Sequence, residues 1–281
     1  MKKYWKFLQA VIREWQKDNA QTLAAALAYY AVFSLAPLLL IIIAIVGMVL
    51  SRDQVLHEVI GAVNALLGVE VGRVVSSLLN DLSNRNSSII ATVVGVITLL
   101  IGATGIISQL QNSFNVIWDA KPKSKTVWFR LVKKQIFSLG YILLLALLLL
   151  LSLLLNTALN FFLGFLTEQY PTLAFILPLG SMVLTFLLTW LLFVSMFTFI
   201  PDAKVHLHDA LVGGGFTALL FLFGRMLLTW YLTKGVATSA YGAAGALVAI
   251  LLWVYTSSEI LFLGAEFTKV YGKIRSNTSS K

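Results

Sequence analysis

Cysteine is absent from the 281-residue chain, and histidine occurs only at His57, His206 and His208. The first absence removes structural disulfides, thiolate nucleophiles and cysteine-ligated zinc or iron–sulfur centres. The scarcity of histidine leaves little for a metal enzyme. His206 and His208 precede Asp209, and Asp53 and His57 can share a helix face, but neither set reaches the ligand count of a zinc site. The phosphate-cradling GxxxxGKS/T, the zinc-binding HExxH and the nucleophile elbow GxSxG are all missing, and no serine stands with histidine and an acid in an interpretable triad. No catalytic residue, metal ligand or cofactor is therefore expected. Charge is scarce too, at 12% of residues against 59% hydrophobic, with a mean hydropathy of +0.87. That leaves too little polar surface to cover a soluble domain of this length.

What is present is a series of long apolar runs. Six of them, at about 22–50, 88–110, 134–159, 172–200, 210–231 and 240–267, are long enough to cross a hydrocarbon layer of roughly 30 Å as helices. Pro37 falls inside the first and is read as a bend in a continuous span, because neighbouring helices can satisfy the freed backbone groups. The expected fold is all-α: a polytopic six-helix transmembrane bundle forming a membrane domain over 22–267.

An even number of spans puts both termini on one side, and the basic residues say which. Of the 21 Lys and Arg, 16 fall in residues 1–21, the second loop, the fourth loop and the C-terminal tail, 268–281. Four fall on the opposite side, and Arg225 lies inside a span. That asymmetry predicts cytoplasmic N and C termini in a bacterial inner membrane. The net charge of +9 is thus mainly an orientation signal, reinforced by attraction to anionic lipids. The basic second loop, KPKSKTVWFRLVKK, could imitate a nucleic-acid patch, but at a membrane boundary lipid contact explains it better. Membrane lipids are the expected partners, and no specific nucleic acid is expected.

Two nonspanning segments are patterned. In residues 1–21, Tyr4, Trp5, Phe7, Leu8, Val11, Ile12 and Trp15 form one broad apolar face among basic residues, an interfacial amphipathic arm rather than a removable secretory peptide. The outer-side segment 51–87, between the first two spans, carries two apolar faces at helix spacing separated near Gly68, and reads as an amphipathic helical insertion. Small residues recur four apart at Ala20, Ala24 and Ala28, while Gly102, Gly105 and Ser108 make a smooth patch. These permit close helix contact, within the chain or in a homo-oligomer. Gly213, Gly214 and Gly215 either loosen the start of the fifth span or allow close backbone packing.

The remaining chemistry is polar groups within apolar runs. Arg225 interrupts LLFLFGRMLLTW and needs a bundle interior, a water cavity or a route to headgroups. It lies roughly 9 Å of helix rise from the outer end of its span, so headgroup anchoring and anion binding both remain open. Glu259 and Glu266, seven residues apart, share nearly one side of the last span. Glu259 lies roughly 28 Å from that helix's outer end, which argues against pairing with Arg225. It is expected to meet the polar end of the second span, where Gln109, Gln111, Asn112 and Asn115 stand. A polar brace and a water-lined route are the two readings of that group.

Three segments together carry a resemblance: LAAALAYYAVFSLAPLLL in the first span, QLQNSFNVIW after the second and YGAAGALVAILLWVYTSSEILFLGAE in the last. The chain resembles the YihY/BrkB family of bacterial inner-membrane proteins over nearly its whole length. The resemblance implies six membrane helices, and it brings an inherited label, ribonuclease BN, for which the residues supply no nuclease centre. Positions matching the family are Tyr29, Ser34, Pro37, Gln111, Asn115, Trp118, Tyr241, Gly242, Trp253, Gly264 and Glu266. Bending at Pro37, depth anchoring by Tyr241 and Trp253, and close packing at Gly242 are structural roles sufficient for those four.

The functional expectation is noncatalytic transport or handling of a lipid or an anionic amphiphile near Arg225. A structural or interaction protein is the competing class, and a membrane-associated ribonuclease the third.

Overall fold

The structure is a computed structural model that describes residues 2–46, 60, 76, 105–120, 176–234 and 245–279. Helix is the only regular structure among the described residues. In chain order the helices are α1 (Lys2–Lys17), α2 (Ala20–Val46), α3 (105–117), α4 (Ile176–Phe199), α5 (Leu207–Thr233) and α6 (Gly245–Ser279). Stretches of α4, α5 and α6, at Met182–Phe199, Leu207–Leu232 and Leu247–Asn277, are long and apolar enough to cross a membrane. These coincide with the fourth, fifth and sixth expected spans. The first lies in α2 as far as Val46, with helix continuing through Pro37 and residues 47–50 outside the described residues, and only the end of the second is described. The third span, 134–159, and nearly all of the insertion at 51–87 lie outside the described residues. Beyond 267 the chain is still helical, since α6 runs to Ser279.

The helix ends follow local chemistry. Asn19 stops α1 with a positive φ of 50°, a conformation asparagine tolerates, and its carbonyl accepts the Thr22 and Leu23 amides that begin α2. After α3, Asp119 adopts φ 52°, the Ala120 amide donates to the Asn115 carbonyl, and the Asp119 amide donates to Val116. This is a Schellman cap with aspartate where glycine is usual. At α5 the His206 carbonyl accepts the Asp209 and Ala210 amides.

The described residues group into two compact units. One contains α1, the chain from Phe114, α4, α5 to Leu222, and α6 from Leu261. Its core is aromatic: Phe114, Phe197 and Phe262 are fully buried, with Phe114 5.8 Å from Phe197 and 6.0 Å from Phe262 in edge contacts. Trp118 joins this cluster through Phe114 and Phe197. Against it, α5 and α6 cross on a reciprocal pair of notches. A Cβ on Gly213 would overlap Thr268, and a Cβ on Gly264 would overlap Thr217. Each threonine hydroxyl donates to the carbonyl four residues back, Thr217 to Gly213 and Thr268 to Gly264, both at 2.7 Å. The hydroxyls are thus satisfied inside their own helices, and the side chains fill the opposite glycine gap. Gly214 is likewise pressed against Val194, so two of the three consecutive glycines serve close packing.

The other unit contains the chain from Asn19 to Ser113 and from Phe223 to Ile260. Ala20, Ala24 and Ala28 are all buried here, as a small-residue stripe should be. Gly105 lies under the Tyr30 ring, and Gly224 under Ile260. Tyr29 is 58% exposed and packs its ring against Phe33 and Tyr30. Many large apolar side chains on α4 and α5, among them Leu187, Leu191, Met226 and Leu227, are exposed along these helices. A soluble protein would not leave them in water, whereas hydrocarbon covers them without penalty.

Candidate functional site

The first unit concentrates its buried charge on one lysine. Lys269, on the last turns of α6, is 95% buried, and its Nζ lies 2.7 Å from Glu14 Oε2, 2.9 Å from Asp18 Oδ2 and 3.4 Å from Asp119 Oδ2. Glu14 is on α1, Asp18 in the turn after it and Asp119 in the cap of α3. The fourth carboxylate, Glu266, is one turn back on α6, fully buried and 3.8 Å from the same ammonium. Neither Glu266 oxygen has a hydrogen-bond partner among the described residues. The hydrogen bond from Lys269 holds the Glu14 carboxyl below the usual carboxylate range, against the opposing effect of burial. Lys17 and Lys273 stand at the rim, 3.7 Å from Glu14.

Why the chain meets here is partly apolar. The face expected of α1 divides in two: Val11 is buried and Phe7 packs edge-on against Phe267 at 5.0 Å, whereas Trp5, Leu8 and Ile12 are exposed. The inward stripe continues into Glu14 and Asp18, so the packing that seats Phe7 delivers both carboxylates to Lys269.

Two further polar clasps stand in the same unit. Arg275 grips Asp209 through both oxygens, Nε at 3.1 Å and an Nη at 3.2 Å, joining the end of α6 to the start of α5. Gly272 makes room, since a Cβ there would come 2.9 Å from Asp209 Oδ2. The Asn115 side chain donates to Asp202 Oδ2 and accepts from the Asp202 amide, both at 2.8 Å, tying the end of α3 to the turn after α4.

An open apolar groove of about 400 Å³ runs along α4 and α5, lined by Phe186, Trp190, Leu211, Val212, Phe216 and Leu219 among others. Trp190 closes one wall by donating its indole N–H to the Leu211 carbonyl at 2.8 Å. His208 lies at the groove's end and stacks on Tyr271.

The residues singled out from sequence scatter among these features. Glu266 enters the lysine hub and Asn115 the clasp to Asp202, while Trp118 and Gly264 enter the packed core. Arg225 is half-buried on α5 and engaged with other groups. Glu259 is half-buried on α6, with one oxygen buried and unpartnered among the described residues. Gln109 donates to Ser113 at 3.4 Å. Gln111 is half-buried and Asn112 exposed. Trp253 is half-buried on α6. The side chains of Ser34 and Pro37, and all of Tyr241 and Gly242, lie outside the described residues. Sequence reasoning misses Glu14, Asp18, Lys269 and Arg275, and meets Asp209 only as the neighbour of His206 and His208. The one visible hint is the Glu14–Asp18 pair, an acid in an otherwise basic helix followed four residues on by a second in the turn after it.

Comparison with known proteins adds a family. The family model described as Virulence factor BrkB matches residues 11–281. A UPF0761 membrane protein of Psychrobacter sp. (strain PRwf-1) is 27% identical over 94% of this chain, which spans only 48% of that relative's length. One from Psychromonas ingrahamii is 27% identical, covering 94% of this chain and 87% of its own. A third, from Mannheimia succiniciproducens, is 29% identical, covering 92% and 87%. No solved structure matches.

Proposed function

We propose, from the premise that the chain belongs to the BrkB family of membrane proteins, that it handles a lipid or another anionic amphiphile within the bilayer and catalyses no covalent reaction. The observation that carries this reading is the groove on α4 and α5. Its volume, about 400 Å³, falls in the range of small-ligand sites, and its lining is apolar. An acyl chain is the occupant a membrane supplies to such a surface. The exposed stripe of Trp5, Leu8 and Ile12 on α1 supports an arm seated at the lipid interface. Cytoplasmic termini, expected from the basic residues, would turn this arm and the rim lysines toward anionic inner-leaflet headgroups. Arg225, half-buried and already engaged with other groups, is the intramembrane cation whose replacement tests the preference for an anionic amphiphile.

Reconstitution into liposomes carrying headgroup-labelled lipids tests the proposal. Protein-dependent movement of label is expected, lowered several-fold by Gly215→Leu, which fills the groove beside Trp190. Arg225→Gln should slow anionic lipids more than zwitterionic ones. No protein-dependent movement, with or without an imposed gradient, sinks the reading for the lipids used. The competing structural reading draws on the Lys269 hub and the two clasps, which brace helix ends. It predicts that both variants leave lipid movement at the empty-vesicle rate.

A further inference from the structure

The buried part of the lysine hub gathers three carboxyl groups around one ammonium among the described residues. Glu14, Asp18 and Glu266 each bring a carboxylate oxygen within 4.8 Å of the other two. Their side chains are 23%, 8% and 0% exposed, and the one ammonium among them, Lys269, is 3% exposed. Three shielded carboxyl groups therefore face one shielded cation among the described residues. Lys17 and Lys273 are each more than half exposed and are screened by solvent.

Glu266 is the separate and sharper observation. It is fully buried, and both its oxygens lack a hydrogen-bond partner among the described residues. Lys269 Nζ, at 3.8 Å, is beyond hydrogen-bond length and is committed to Glu14 and Asp18. Burying a carboxyl in this way is costly unless a cation, a donor or a proton satisfies it. The spacing points to the kind of ligand. Hard divalent ions hold oxygens at roughly 2.0–2.6 Å, so oxygens around one ion lie no more than about 5 Å apart. The triad meets that limit.

We infer that Glu14, Asp18 and Glu266 form a binding site for a hard divalent cation, with the Lys269 ammonium competing for the same carboxylates. The ligands come from α1, the turn after it and α6, so a bound ion ties the N-terminal arm to the last helix. The site is independent of the lipid groove, and its test reads binding rather than transport.

Mn2+ is the probe, followed by electron paramagnetic resonance on the full chain in phosphatidylcholine nanodiscs after EDTA treatment. One saturable Mn2+ per chain is expected, displaced by Mg2+ or Ca2+ and not by Na+. Glu266→Gln and Asp18→Asn should each weaken it tenfold or more, and Lys269→Met should tighten it several-fold. Lys269→Met should also melt below the wild type in EDTA and recover on adding Mn2+. Absence of saturable binding in the wild type overturns the inference, as does a response to Na+ alone or Mn2+ binding unchanged in Glu266→Gln. If Lys269→Met does not fold, the wild type and Glu266→Gln titrations decide.

Discussion

Lys269 draws its strength from desolvation: at 3% side-chain exposure its pairs with Glu14 and Asp18 are hardly screened by water. Taking away that ammonium leaves Glu14 and Asp18 without their shielded partner beside the buried Glu266, so Lys269→Met in metal-free buffer should cost about 3–5 kcal/mol, read as a fall in thermal midpoint. Asp119 makes the opposite case. Its carboxylate is 61% exposed and sits 3.4 Å from the ammonium, so the pair itself should contribute only about 0–1 kcal/mol. Its backbone matters more, because φ is 52° where glycine is usual. Asparagine tolerates that conformation and alanine does not, so Asp119→Asn should be nearly neutral and Asp119→Ala should cost about 1–2 kcal/mol. Equal losses in the two variants would show that the charge, not the backbone, decides. The hub was hidden from sequence for a physical reason. Asp18 and Lys269 are 251 residues apart, and nothing local distinguishes Lys269 from the neighbouring basic residues counted as an orientation signal.

Among elements, the α5–α6 crossing is the most exacting. Gly213 and Thr217 on one helix meet Thr268 and Gly264 on the other, with both threonines buried and their hydroxyls already satisfied. A methyl group has nowhere to go, so Gly264→Ala should cost about 1–3 kcal/mol by overpacking. Trimming the opposing side chain should restore part of that loss. A double-mutant cycle of Gly264→Ala with Thr217→Ala, measured by thermal unfolding in detergent, is therefore expected to show favourable coupling of about 0.5 kcal/mol or more. Additive losses would mean that the two positions do not share the notch. The helices themselves were legible from hydropathy, since runs of 20 or more apolar residues leave few alternatives, and α4, α5 and α6 fall where the last three runs lie. The role of the fifth-span glycines was legible only as a choice between loosening and packing. It took Thr268 and Val194, on other helices, to decide it.

At the scale of the molecule, charge and contact bear on sidedness from independent directions. The basic residues gather in the N-terminal arm, the segment after the second span, the turn after the fourth and the C-terminal end. Those same four segments are joined by contacts in the first unit: Lys269 binds Glu14, Asp18 and Asp119, Asn115 clasps Asp202, and Arg275 grips Asp209. Segments that touch through charged side chains lie at one face of the membrane, because ion pairs of this kind cannot be strung across hydrocarbon. Contact thus groups the segments without using the charge count, and the count predicts the direction, with the basic end expected toward the cytoplasm. Reporters inserted after residues 65 and 125 separate the two parts of this argument. Opposite sides, with residue 125 cytoplasmic, are expected. Opposite sides with residue 125 outward would keep the grouping and overturn the orientation. A shared side would overturn the six-span order itself.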